Sequence, residues 1–325
     1  MRHIKAVLYA DNAREYYEKL PPLPAHIHVL PCTNEDEAIQ AVSDSQVLCC
    51  TGMFFPKNIF AACPQLELLH AISVGMEPLL GPDILASNVI VTNSKGANAK
   101  PVAEHALALL LGLSRNIHRS VRAQVQKNWQ RESLRSGFEI EGLTLGIVGL
   151  GAIGQELAIK AHHLGMNIMA LRRASSGVLP DALAEHIRLY PMEQLQYVLE
   201  KSDFVVICLP LTEETKGIIG EEQFMMMKPT AYVLNISRGQ VIEEGALIKA
   251  LQKNWIAGAG LDVFSVHPLP DTSPLWDMPN VLITPYISAS SRQTMERAMR
   301  IFADNLDRLS YGLPLQNVVN KHIGY

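Results

Sequence analysis

The chain has 325 residues, 48% of them hydrophobic and 18% charged, with a formal net charge of −4. That length predicts two domains rather than one core, and the balance excludes a disordered chain. No basic field is available to draw the chain to nucleic acid or to an anionic membrane, so a small-molecule partner is expected. The cysteines Cys32, Cys49, Cys50, Cys63 and Cys208 lack C-x-x-C spacing, and three of them stand in apolar runs. They read as free thiols in a reducing cytoplasm, not as a disulfide frame or a metal site. The N-terminus carries charges within its first residues and has no signal-peptide core. The longest apolar stretches, such as Ala106–Leu113, are too short to span a membrane. A cytoplasmic protein is the expectation.

Short β-type runs open the chain at Ile4–Tyr9, His26–Leu30, Val47–Cys50, Leu66–Ala71 and Val89–Thr92, with helical stretches between them such as Glu35–Val42. Strand and helix in alternation predict parallel strands joined by crossover helices. A helix is predicted from Pro101, because Val102, Ala106, Leu109, Leu110, Leu113 and Ile117 recur at helical spacing. Proline suits a first helical turn, where its missing N–H has no partner to lose. Ala103, Leu107 and Leu111 make a second side of this helix apolar, so it is expected to be buried between domains or between subunits.

A second alternating set follows. Its strands are predicted at Leu143–Val148, Asn167–Leu171, Arg188–Tyr190, Phe204–Cys208, Ala231–Ile236, Ala257–Asp262 and Val281–Ile283. A last helix, about Arg292–Leu309, is expected to return the chain to the first domain. The predicted class is α/β with two doubly wound parallel-sheet domains. The outer, flavodoxin-like domain comprises residues 1–99 and 291–325, and the dinucleotide-binding domain of Rossmann type residues 100–290. A ligand cleft is expected between them.

Gly149-Leu150-Gly151-Ala152-Ile153-Gly154 has an apolar strand before it and a helical pattern after it. In that setting Gly149 permits a tight turn, Gly151 lets backbone approach a pyrophosphate, and Gly154 lets the helix pack on its strand. The helix start, with Ala152 and Ile153, offers N–H groups to the phosphates. A carboxylate near the end of the next strand would bind an unphosphorylated ribose. Here that stretch reads Leu171-Arg172-Arg173-Ala174-Ser175. Two guanidinium groups and a hydroxyl suit a 2′-phosphate, which points to NADP(H) ahead of NAD(H).

Several ordered motifs then coincide. They are Asn93-x-x-Gly96-Ala97-Asn98 with Val102-Ala103-Glu104-His105, Leu209-Pro210-Leu211-Thr212-x-x-Thr215-x-Gly217, Asn235-Ile236-Ser237-Arg238-Gly239, Gly260-Leu261-Asp262-Val263-Phe264, and Asn280-Val281-Leu282-Ile283-Thr284-Pro285. The chain resembles the D-isomer-specific 2-hydroxyacid dehydrogenases over nearly its whole length. Its Pro274-Leu275-Trp276 and Gly-Tyr end are similar to the short glyoxylate/hydroxypyruvate reductase branch. The resemblance implies an NADP(H)-dependent oxidoreductase that interconverts a small 2-oxo acid and a D-2-hydroxy acid. It implies that Arg238 anchors the substrate and that the N–H groups of Val74 and Gly75 cradle its carboxylate. It further implies that Asp262 accepts the nicotinamide carboxamide, and that Leu209, Pro210 and Thr215, with Ile236 and Ser237, border the cofactor. A homodimer is implied as well, paired through the region of the apolar helix.

The resemblance breaks at the proton donor. The family carries a glutamate in D-V-F-x-x-E-P and a histidine in T-P-H, whereas this chain has His267 and Tyr286 at those positions with the spacing intact. A ketone reduced by hydride still needs a proton. One reading is that Tyr286 supplies it and His267 relays it from water. The alternatives are a catalytically weak or silent NADP(H)-binding sensor or scaffold, and an oxidoreductase for a different carbonyl or oxidisable substrate.

Overall fold

Every predicted β-type run forms a strand, the central ones as short apolar stretches that a parallel sheet buries on both faces. The computed structural model describes residues 1–52, 56–76, 78–173 and 185–321. Ser175 and the Gly-Tyr end lie outside the described residues. The chain divides into two units, Met1–Asn98 with Ser290–Tyr325, and Ala99–Ala289.

The first unit contains β1 (Ile4–Tyr9), α1 (Ala13–Glu18), β2 (Ile27–Cys32), α2 (Glu35–Val42), β3 (Val47–Cys50), α3 (Lys57–Ala61), β4 (Leu68–Ala71), α4 (Pro82–Leu85) and β5 (Ile90–Asn93). The strands are parallel in the order β2-β1-β3-β4-β5. The helix at the end of the chain, Arg292–Tyr311, also belongs here. It starts where the Ser291 side chain accepts the Thr294 N–H and stops at Gly312, whose φ is +66°. Its Met299, Phe302 and Leu306 pack with Ile4, Ala6 and Leu8 in one core. The segment after it covers the free edge of β5: Val319 N–H donates to Val91 O at 2.8 Å and Asn93 N–H to Asn317 O at 3.3 Å. A closed edge cannot template pairing with another chain.

His70 on β4 is fully buried in this unit, between the hydroxyls of Thr92 at 2.8 Å and Ser94 at 3.2 Å. Burial pushes its imidazole down to about 3 from an ordinary 6.5. The unfolded chain therefore binds a proton that the folded chain refuses, and stability falls as pH drops below 6.5. The slope from this one residue is roughly 1.4 kcal/mol per pH unit. Thermal unfolding should show a lower melting temperature at pH 5 than at pH 7, and His70→Gln should flatten that difference. A pH dependence unchanged by the substitution would contradict the assignment.

The second unit contains α5 (Ala99–Ser114), α6 (Ile117–Val125), β6 (Thr144–Val148), α7 (Ala152–His163), β7 (Asn167–Leu171), β8 (Ile187–Tyr190), α8 (Leu195–Lys201), β9 (Phe204–Ile207), α9 (Glu221–Met226), β10 (Tyr232–Asn235), α10 (Glu244–Gln252), β11 (Gly258–Leu261) and β12 (Val281–Ile283). In chain order the Arg292–Tyr311 helix is then α11. The strands run parallel in the order β12-β11-β10-β9-β6-β7-β8. The order reverses between β6 and β9, so the loops at the carboxyl ends of the strands diverge there and leave a crevice for a ligand.

The helix α5 begins at Ala99, with Pro101 inside its first turn, and it is covered within its own unit. Val102, Ala103, Ala106, Leu107, Leu109 and Leu110 share a core with Leu145, Ile147, Leu157, Phe204 and Leu234. Leu111, on the second apolar side of the helix, stays 37% exposed. A run of uncovered apolar side chains is on α6 and just after it: Ile117, Val121, Val125 and Trp129 are 53%, 50%, 79% and 90% exposed. They recur every four residues, and α6 is held by Arg122, which donates to Met278 O at 2.8 Å and Val281 O at 3.1 Å. Among the described residues, no helix is long and apolar enough to cross a membrane.

Candidate active site

The glycine motif closes the first β-to-α turn of the second unit. Gly149 has φ +108°, a conformation that L side chains rarely adopt. A Cβ at Gly154 would fall 2.5 Å from Gly149 O, whereas one at Gly151 would meet nothing within 4 Å. The turn is therefore tight on its inner side and open at Gly151. No side chain caps the start of α7 at Gly151, and Ala152 and Ile153 are half-buried beside it. Open backbone donors at the positive end of a 12-residue helix fit a pyrophosphate.

Arg172 follows β7 directly, half-buried, its N–H donating to Tyr190 O at 3.0 Å, and Arg173 beside it is exposed. After β9, Leu209 is buried against the Gly149 turn. Thr215 Oγ1 donates to Pro210 O at 2.6 Å and accepts the Thr212 N–H at 2.8 Å, which fixes the loop leaving that strand. Cys208 stands between them. Burial pushes the thiol of this partly buried residue up to about 12.

Three further loops meet at the carboxyl ends of β10, β11 and β12. Asn235 shapes the first: its Oδ1 accepts the N–H and hydroxyl of Ser237 at 3.1 and 3.0 Å, and its Nδ2 donates to Arg238 O at 3.0 Å. Ile236 and Ser237 are buried there, and Arg238 is half-buried with Nη1 donating to Ser237 O at 2.9 Å. At Gly239 a Cβ would fall 1.8 Å from Phe264 O, so only glycine lets this loop rest on the next one. Gln240 Nε2 donates to Ser265 O at 3.3 Å across the same contact. Arg238 is thereby set beside the loop that carries His267.

In that second loop, Phe264 N–H donates to His267 Nε2 at 3.1 Å, and the Glu244 carboxylate accepts the Ser265 N–H at 3.0 Å. The His267 and Tyr286 rings lie 5.0 Å apart, tilted by 33°. The structure thus brings His267 and Tyr286 together. A relay through His267 is restricted by this geometry, since Nε2 accepts a backbone proton and only Nδ1 carries one.

Tyr286 is half-exposed and has φ +56°, a left-handed conformation unusual for a bulky side chain. Asp262 holds it there. The Tyr286 N–H donates to Asp262 O at 3.0 Å. The fully buried Asp262 carboxylate accepts Thr284 Oγ1 at 2.6 Å and the N–H groups of Ile287 and Ser288 at 3.0 Å each. His105 Nε2 lies 2.8 Å from Thr284 Oγ1. Because the threonine gives its proton to Asp262, His105 Nε2 is the donor. The sequence quotes His105 and Thr284 within motifs, but no spacing links either to Asp262.

Val74 and Gly75 belong to the first unit. Asn93 Nδ2 donates to Val74 O at 3.0 Å and Ser73 Oγ to Gly75 O at 2.9 Å. Among the described residues no acceptor is recorded for the N–H of Val74 or Gly75. Among the described residues, no three His, Cys, Asp or Glu side chains are grouped to hold a metal.

Residues 107–288 match the family described as D-isomer specific 2-hydroxyacid dehydrogenase, NAD binding domain. A glyoxylate reductase of Korarchaeum cryptofilum is 36% identical over 269 residues, which cover 82% of this chain and 80% of that protein. A solved D-isomer specific 2-hydroxyacid dehydrogenase of Xanthobacter autotrophicus Py2, in complex with NADPH and MES, superposes with a TM-score of 0.83 at 27% identity, over 99% of this chain and 100% of that one. A family protein of Aeromonas salmonicida superposes equally well, at 0.83 and 28% identity over 98% and 99% of the two chains.

Proposed function

The chain belongs to the D-isomer specific 2-hydroxyacid dehydrogenase family, and from that premise we propose that it is an NADP(H)-dependent reductase of small 2-oxo acids such as glyoxylate or hydroxypyruvate. It is an NAD(P)-dependent oxidoreductase acting at a CH–OH or oxo centre. The observation that carries the finer reading is the meeting of the Arg238, His267 and Tyr286 loops at the end of the parallel sheet.

The bound cofactor supplies the hydride. Gly149, Gly151, Ala152, Ile153 and Gly154 receive its pyrophosphate, and Leu209, Pro210, Thr215, Ile236 and Ser237 border it. Arg238 takes the oxo and carboxylate oxygens of the substrate on one planar fork and fixes the carbonyl carbon in place. The N–H groups of Val74 and Gly75 are assigned to the substrate carboxylate. Tyr286 gives its hydroxyl proton to the nascent alkoxide, and a water held by Nδ1 of His267 returns a proton to it. Asp262 fixes the Tyr286 loop, and Oδ2 retains one acceptor position for the carboxamide.

NADP(H) preference rests on Arg172 with Arg173 and Ser175. NADPH should bind at least about tenfold tighter than NADH, a difference of about 1.4 kcal/mol. Arg172→Asp should erode that ratio in fluorescence titrations of both reduced cofactors. Equal affinities in the unmodified protein would contradict the proposal.

The apolar stripe on α6 supports a homodimer. Val125→Asp puts a charge in a surface that pairing would bury, and such a change commonly costs several kcal/mol. Sedimentation should find a dimer for the unmodified chain and a monomer for the variant. An unchanged mass would place the interface elsewhere.

A further inference from the structure

We infer that the substrate class best suited to this site is a 2-imino acid, the condensation product of a 2-oxo acid with an amine, reduced to an N-substituted 2-amino acid. The inference rests on the proposed reading in keeping NADPH and the Arg238 anchor. It replaces the C=O beside the carboxylate by a protonated C=N.

The first reason is the protonation imposed by the loop geometry. His267 Nε2 accepts the Phe264 N–H at 3.1 Å, so it presents a lone pair there. A proton on Nε2 would set two donors against each other and leave a backbone N–H without its acceptor. That Nε2 is therefore an acceptor, and the ring packs against the Tyr286 ring. The carboxylates in the surrounding loops are acceptors too. Asp262 takes three protons in hydrogen bonds from Thr284, Ile287 and Ser288, and Glu244 takes the Ser265 N–H. The one group on these loops built to give a proton is the Tyr286 hydroxyl, and a phenol is a weak acid.

The second reason is the demand of the reaction. A ketone must gain a proton at oxygen as hydride arrives at carbon, and general acid catalysis is worth roughly 10²–10⁴-fold. An iminium brings its own proton on nitrogen. Hydride from the reduced nicotinamide adds to C2, the C=N π pair becomes the nitrogen lone pair, and the nicotinamide is left oxidised by two electrons. The neutral amine then takes a proton from water. No proton from the protein enters the step.

The third reason is charge. A protonated histidine at position 286 would repel a cationic C=N group a few ångströms away. A phenol at that position does not, and its aromatic face attracts a cation. Arg238 then holds the two carboxylate oxygens and no longer the group on C2, and the carboxylates of Asp262 and of Glu244 at the start of α10 favour positive charge.

The test uses the full-length protein, NADPH and pyruvate, with and without excess methylamine at mildly alkaline pH. NADPH oxidation is followed optically and products by mass spectrometry. The expected result is oxidation at least about tenfold faster with methylamine, with N-methylalanine as the product. Tyr286→Phe should leave the methylamine-dependent rate within about threefold while the lactate-forming rate collapses. Calorimetry on the NADP⁺-saturated protein should find N-methylalanine bound more tightly than lactate. Pyruvate reduction unchanged by methylamine, with lactate as sole product, overturns the inference and leaves the proposed function standing. Equal loss of both rates in Tyr286→Phe overturns the claim that the protein gives no proton. Tight NADPH binding without oxidation under either condition overturns both readings.

Discussion

Tyr286→Phe should lower the rate of 2-oxo acid reduction by roughly 10²–10⁴-fold, the usual worth of a general acid. The substitution removes one hydroxyl and little volume. The half-exposed ring sits in a left-handed backbone conformation held by the Asp262 carboxylate through the N–H groups of Ile287 and Ser288 and by the Asp262 carbonyl through the Tyr286 N–H. Phenylalanine can occupy the same backbone as tyrosine, so the melting temperature should stay close to that of the unmodified protein. NADPH affinity should hardly move, because the glycine turn and Arg172 lie at the ends of other strands. His267→Ala should cost less if the histidine only returns protons to Tyr286, and it should flatten the pH profile. Unchanged steady-state turnover of glyoxylate or hydroxypyruvate in Tyr286→Phe would show that the phenol gives no proton.

Arg238→Lys should reduce kcat/KM by at least about 10²-fold despite keeping the charge, since reactive alignment of a bound carbonyl can be worth that much. A lysine ammonium is a point charge and cannot hold two substrate oxygens on one plane. The loop itself should survive, because Asn235 fixes it through Ser237 and the Arg238 carbonyl, none of which the substitution removes. The backbone contact of Gly239 on Phe264 is also untouched. Titration with NADPH should find cofactor affinity near that of the unmodified protein. A lysine variant with full activity and unchanged KM would mean that the arginine does not hold the substrate.

The strands were legible in the sequence because buried parallel strands are short apolar runs. The glycine turn was legible because a tight turn, an open approach and a close helix contact each demand glycine at a fixed spacing. Apolarity alone did not say what covers a surface. The helix α5 reads as an interface, yet β6, β9, β10 and α7 bury it within its own unit. Conversely, Ile117, Val121, Val125 and Trp129 alternate with charged residues and look unremarkable until the fold leaves them exposed. The Asp262–Thr284–His105 chain was hidden because hydrogen bonds between distant positions leave no periodic signal. His267 and Tyr286 were visible as departures from a pattern. The state of His267 was not, since it depends on one backbone N–H, that of Phe264.

Hydride transfer to C2 of a 2-oxo acid is measured most directly by isotope. The protein is incubated with NADPH deuterated at C4 of the nicotinamide, on each face in turn, and with glyoxylate or hydroxypyruvate. For one face of the cofactor and not the other, mass spectrometry should find a single deuterium at C2 of the 2-hydroxy acid. Protein that binds NADPH tightly, yet forms no deuterated 2-hydroxy acid from either substrate with either face labelled, would contradict the account.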